Sequence, residues 1–206
     1  MSRAKNLQIG GLVALAGLLL VGILLAGGLA WDKWHEGAPT AKIGGPFQLV
    51  DAQTGKTVTD QNYKGKWLLI YFGYTHCPDA CPTALNDLSL ALDKLGDKRH
   101  AMAPLFITID PERDTADVMK DYAASFAPDI VGLTGTPEQI AQAEKEYRVY
   151  AAKHPTKDGG YDMDHSSIIY VMDGNGQFVG NFTGETDPDQ MAATLAQMMA
   201  KPKSTS

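Results

Sequence analysis

Cys77 and Cys81 are the only thiols in 206 residues. They are separated by three residues within GYTHCPDACPTAL, residues 73–85. A pair this close has three chemical uses: a disulfide, a reversible redox couple, or part of a soft-metal site. The usual redox motif has two intervening residues, and zinc fingers bring their cysteines in two pairs. A structural bridge would close a loop of five residues. Chain entropy values so short a loop at roughly 2 kcal/mol, little beyond what packing of a turn on its helix supplies. Pro78 and Pro82 bracket the motif, and proline is tolerated in the first helical turn. Residues 77–82 therefore read as a loop-to-helix junction, with Cys81 about one turn beyond Cys77 and on the same side. A helix N-terminus stabilises thiolates, while Asp79 between the two opposes that effect.

The elements that must position this junction are legible from apolar spacing. Residues 67–72 (WLLIYF) and 105–109 (LFITI) are continuous apolar runs, as expected of central strands buried on both faces. Residues 82–95 place Leu85, Leu88, Leu92 and Leu95 on one helical face. A second helix is expected over 115–126 with Asp114 as N-cap, and a short strand over 129–133. Thr136, Pro137 and Gln139 form a capping box with proline at the first helical position, opening a third helix that ends near Tyr147. Residues 148–152 are expected to be extended. Residues 47–50 and 57–59 form a small hairpin, and 167–172 and 177–182 another across Asp173-Gly174-Asn175-Gly176. Asp187 caps and Pro188 opens a last helix ending near Ala200. Strand–helix alternation followed by a hairpin and a final helix implies an α/β fold, a mixed sheet with helices on both faces. With cysteines just after the first central strand, the order is similar to a thioredoxin.

That arrangement brings a distant residue into play. Thioredoxins carry a proline before the strand that faces the cysteines. Here that strand is 167–172, and residues 161–166 (YDMDHS) contain no proline; His165 stands roughly in its place, 84 positions after Cys81. Two thiolates and an imidazole are a soft set with few members. They suit Cu(I), which accepts three-coordination, whereas structural zinc normally takes four ligands. His76 is a rival ligand, but it neighbours Cys77 and its side chain is expected to point away. Met163 is a further soft candidate. His35, His100 and His154 fall in the tether or loops and are expected to be solvated.

Charge and hydropathy bound the setting. Net charge is −6; Arg3 and Lys5 are the only charges before Trp31, so the remainder carries −8. An acidic body excludes nucleic acid as the expected partner, since phosphate binding needs basic patches. Residues 9–30 are uncharged and as a helix would cover roughly 33 Å, enough for a hydrocarbon core. The run exceeds the apolar length of a signal peptide, though Gly28 and Ala30 would suit cleavage before Trp31. We expect an uncleaved anchor. The two preceding cations place residues 1–8 in the cytoplasm and the rest outside, in a bacterial periplasm with the anchor in the inner membrane. Residues 31–46 read as a tether, 47–200 as the domain, and 201–206 as a frayed tail. Thiols outside the cytoplasm oxidise unless a reductant acts on them, so a periplasmic thiol reductase is an expected partner.

Several motifs occur together: Tyr74-Thr75-His76-Cys77-Pro78-Asp79-Ala80-Cys81-Pro82, Asp110-Pro111-Glu112-Arg113-Asp114-Thr115, Val131-Gly132-Leu133-Thr134-Gly135, Tyr147-Arg148-Val149-Tyr150 and Asp164-His165-Ser166-Ser167. In this order, over about residues 45–200, the chain resembles the Sco/SenC family of copper chaperones. The resemblance implies a thioredoxin-like domain behind an N-terminal anchor that binds one copper, as Cu(I) or Cu(II). By position, Cys77, Cys81 and His165 would be the ligands, with the two cysteines also able to form a disulfide. It further implies service to the binuclear copper site of cytochrome c oxidase subunit II, either by delivering copper from a periplasmic donor or by keeping that site's cysteines reduced. Three functions are thus weighed: copper transfer, thiol–disulfide exchange, and a peroxidase of the peroxiredoxin kind. The last usually has threonine or serine where Tyr74 stands. For Asp110–Thr115, a strand end with a helix cap and a partner-binding role are both open.

Overall fold

In the computed structural model, residues 42–200 are described. The expected cytoplasmic residues 1–8, the span 9–30, most of the tether and the tail 201–206 lie outside the described residues. Among the described residues no helix is long and apolar enough to cross a membrane.

Two continuous apolar runs form the centre. β3 (Trp67–Gly73) and β4 (Met102–Thr108) pair in parallel from Trp67↔Met102 to Gly73↔Thr108. Covered on both faces, they need no polar alternation, and Leu69, Ile70, Tyr71, Phe72, Phe106 and Ile107 have no exposed surface. β5 (Val131–Thr134) continues the parallel set beside β4. β1 (Gln48–Asp51) runs antiparallel to β5 and to β2 (Thr57–Thr59), the expected N-terminal hairpin. On the other side β8 (Ile168–Met172) runs antiparallel to β3, and β9 (Phe178–Thr183) to β8. The mixed seven-stranded order is β2-β1-β5-β4-β3-β8-β9.

The helices follow their capping signals. α1 (Ala80–Lys94) buries Cys81, Ala84, Leu85, Leu88, Ala91 and Leu92 along one face, as the leucine spacing predicts, and begins two residues before the expected Pro82. α3 (Pro137–Tyr147) has the expected capping box. α4 (Pro188–Ala200) has Asp187 accepting from the amides of Asp189 and Gln190. α2 (Ala116–Ala124) differs from expectation: its N-cap is Thr115, which accepts from the Val118 amide. Asp114 is diverted because its carboxylate is buried against two threonines.

A second difference concerns His165. The segment leading to it is strand, and it includes His154, which was expected in a loop. β6 (Ala151–Pro155) and β7 (Tyr161–His165) form a separate two-stranded sheet, with Ala151 opposite His165. The extended stretch expected over 148–152 therefore starts later, because Arg148 caps α3 in the left-handed conformation, φ 56°.

Topology explains why distant segments meet. The cysteine loop leaves the C-terminal end of β3, and the Asp110 loop leaves the adjacent end of β4. β8 is antiparallel with Tyr71 opposite Ile169, so the residues entering it lie beside the end of β3. Ligand sites in such sheets gather at these carboxyl ends.

Candidate metal centre

The structure brings all three expected donors together. The Sγ atoms of Cys77 and Cys81 and a ring nitrogen of His165 lie within 4.8 Å of one another. Both thiols are free. Cys81 is fully buried in the first turn of α1, while Cys77 is half-buried at the loop. His165 Nε2 is 3.4 Å from Cys81 Sγ. Its Nδ1 is 3.1 Å from the Ser166 carbonyl. A carbonyl only accepts, so Nδ1 carries the proton and Nε2 turns its lone pair to the thiols. The ring is held edge-on by Tyr71 and Tyr74, at centroid distances of 6.1 and 5.9 Å.

The two thiols differ electrostatically. Cys77 is lowered to about 5, chiefly by a hydrogen bond from the Cys81 side chain, with burial opposing and the amides of Cys81 and Asp79 assisting. The Cys81 amide lies 3.4 Å from Cys77 Sγ, so the free N–H groups of the helix start do act on this sulfur. Cys81 is pushed upward, first by its side-chain hydrogen bond with Cys77 and then by burial. Tyr71 donates to Cys81 Sγ at 3.7 Å, and its hydroxyl lies 3.2 Å from Ser167 Oγ. Burial and the neighbouring Cys81 raise the Tyr71 hydroxyl, so it stays a donor. Gly73 gives the sulfur room: a Cβ there would sit 2.8 Å from Cys81 Sγ.

Asp114 fixes the loop in front of Cys77. Its side chain is wholly buried and accepts from the Thr75 amide at 3.1 Å, from Thr75 Oγ1 at 2.6 Å and from Thr108 Oγ1 at 2.6 Å. The end of β4 is thereby tied to the loop that carries the cysteines. A buried aspartate in that role has no local sequence signal; its place before a helix reads as a cap.

The rival ligands fall elsewhere. His76 Nδ1 lies 3.2 Å from Thr75 Oγ1, half-exposed, and outside the donor group. Met163 lies on the inward face of β7 with His165 and packs on the edge of the core. His154 pairs with Asp164 at 3.0 Å on the exposed face of the hairpin, and His100 is exposed. His35 lies outside the described residues. Two thiols and a neutral imidazole fit a soft cation of low coordination number, and among the described residues no carboxylate joins the group.

A family model described as SCO1/SenC matches residues 35–200. The chain belongs to the SCO1/SenC family. Among solved structures, ScoI of Bradyrhizobium japonicum with copper bound is 52% identical with a TM-score of 0.70, covering 75% of this SCO1/SenC chain and 98% of that one. Among curated relatives, the mitochondrial SCO1 homolog 1 of Arabidopsis thaliana is 43% identical over 77% of this chain and 48% of its own length. The human mitochondrial SCO1 homolog is 42% identical over 80% of this chain and 55% of its own length. The chain thus spans about half the length of these curated relatives.

Proposed function

We propose that this chain is a copper chaperone that binds one copper through Cys77, Cys81 and His165 and delivers it to the binuclear copper site of cytochrome c oxidase subunit II. The observation that carries the reading is the donor group itself: two free thiols and an imidazole whose Nε2 lone pair faces Cys81 Sγ at 3.4 Å. Membership of the SCO1/SenC family and the copper-bound relative support copper as the cargo. Cys77 and Cys81 bind as thiolates, and the N-terminal turn of α1 offsets part of their charge. His165 binds as the neutral imidazole that its Nδ1 partner already selects. The uncharged run 9–30 behind Arg3 and Lys5 supports an inner-membrane anchor with the domain in the periplasm. There a thiol reductase must keep the pair reduced before loading, and a copper donor must supply the metal.

The asymmetry of the thiols favours a second activity at the same site. Cys77, half-buried and of low pKa, attacks a disulfide sulfur of subunit II and releases one thiolate; fully buried Cys81 then attacks Cys77, frees the second, and leaves a Cys77–Cys81 disulfide. Incubating the copper-loaded full chain with a reduced subunit II fragment tests the main reading. Copper should move to the fragment and generate its binuclear-site spectrum. Retention of copper by the chain, with reduction of an oxidised fragment intact, would leave the thiol activity and refute transfer.

A further inference from the structure

His165 sits on a hairpin that pairs with no strand of the main sheet. Something other than a β-ladder must hold it against the cysteines. Both of its strands are fastened to one loop, the Asp110–Thr115 segment leaving β4.

On β7 the anchor is Tyr161, four residues before His165. Its hydroxyl donates to Asp110 Oδ1 at 2.8 Å. Its carbonyl accepts from Arg113 Nη1 at 3.0 Å, and its ring lies 3.8 Å from the Arg113 guanidinium carbon. Arg113 Nε in turn bonds Asp110 Oδ2, and Asp110 is only 2% exposed. On β6 the anchor is Lys153, whose Nζ is 2.8 Å from both Glu112 oxygens and 4.0 Å from the Tyr161 ring. Arg113 also lies 5.8 Å from the ring of Tyr74, which packs against His165. An ordinary surface ion pair would leave the guanidinium in water. Here Nη2 is buried with no hydrogen-bond partner among the described residues. The side chain gives up a hydrogen bond to hold its guanidinium over the Tyr161 ring, which a packing role requires and a solvated pair does not.

Resting on the copper reading above, we infer that Asp110, Arg113 and Tyr161 are positioning residues that clamp the β6–β7 hairpin and so set how firmly His165 holds copper. Cys77 lies on the loop after β3 and Cys81 in the first turn of α1; that loop is held by the Asp114 side chain through Thr75 and Thr108, contacts that the side chains of Asp110, Arg113 and Tyr161 do not share. His165 is therefore the donor whose placement depends on the clamp, and loosening the clamp lowers copper affinity without altering the thiols. Glu112 and Lys153, half-exposed or more, contribute less.

The test measures Cu(I) affinity by anaerobic competition with a chelator, using the full chain. Arg113→Gln and Tyr161→Phe are compared in the wild-type and His165→Ala backgrounds. Amide exchange of residues 151–165 is followed in the copper-free protein. Arg113→Gln should weaken binding about 10- to 100-fold, as for other residues supporting a metal ligand. Tyr161→Phe removes one hydroxyl and keeps the ring; it should weaken binding about 2- to 10-fold. Neither should weaken it further once His165 is alanine, and in both the hairpin amides should exchange faster while those of α1 do not. Unchanged affinity in the wild-type background, an equal loss in the His165→Ala background, or unchanged hairpin exchange overturns the clamp. Equal affinity of wild type and His165→Ala would instead overturn the three-donor site, with the exchange measurement still deciding the clamp.

Discussion

Replacing Asp114 by alanine removes the one acceptor shared by the cysteine loop and the end of β4. Its carboxylate takes three hydrogen bonds, two of them at 2.6 Å, in a site with no solvent exposure. Bonds to a charged acceptor contribute about 1.5–3 kcal/mol each, but burying the charge costs several kcal/mol and offsets part of that. What alanine leaves behind decides the net. Thr75 is half-buried, so its hydroxyl can turn to water. The Thr75 amide and the buried Thr108 hydroxyl lose their acceptor, at about 1–3 kcal/mol each. Together with the cavity, the loss should be about 3–5 kcal/mol. Asp114→Asn should cost less, about 1–2 kcal/mol: an amide oxygen can serve Thr75 N and Thr108 Oγ1, and Thr75 Oγ1 can accept from the amide nitrogen. Guanidinium denaturation followed by tryptophan fluorescence reads both. A loss below about 1 kcal/mol for Asp114→Ala, or asparagine no better than alanine, would refute the account of this residue as the anchor of the cysteine loop.

Gly73→Ala puts a methyl 2.8 Å from Cys81 Sγ and 3.0 Å from Phe106. Overpacking of this kind should cost about 1–3 kcal/mol and weaken copper binding, read by denaturation and by copper titration. Glu144 is raised by burial from 4.5 to about 7. Because the folded pKa lies above the unfolded value, the contribution of Glu144 to stability is fullest below pH 4.5 and is lost as pH rises through 7. Glu144→Gln should therefore be more stable than wild type by roughly 1–3 kcal/mol at pH 8 and equal to it at pH 4, measured by denaturation at both values.

Elements with strong local signals were readable before the structure: the apolar runs of β3 and β4, the Thr136–Gln139 capping box and the Asp187-Pro188 helix start. The Cys77–Cys81 junction was equally plain, because prolines and spacing mark it. His165 came into view only through topology, as the residue preceding the strand that faces the cysteines. The hairpin carrying it was not foreseen, since its outer face is Asp and Ala or His, and Pro155 lies within it. What makes it a sheet is tertiary: Arg113 on Tyr161, 48 positions away, and Glu112 on Lys153, 41 positions away. Asp114 departs from its expected capping role for a related reason. Before a helix an aspartate looks like a cap, and only the fold reveals Thr75 and Thr108 converging on it.

The central claim is that Cys77, Cys81 and His165 act as one copper site. An anaerobic Cu(I) titration of the full chain and of His165→Ala, with X-ray absorption on the loaded proteins, tests it most directly. The account predicts one copper per wild-type chain with two sulfur and one nitrogen neighbours, and weaker binding with the nitrogen lost in the variant. Equal affinity and an unchanged spectrum in His165→Ala would contradict it.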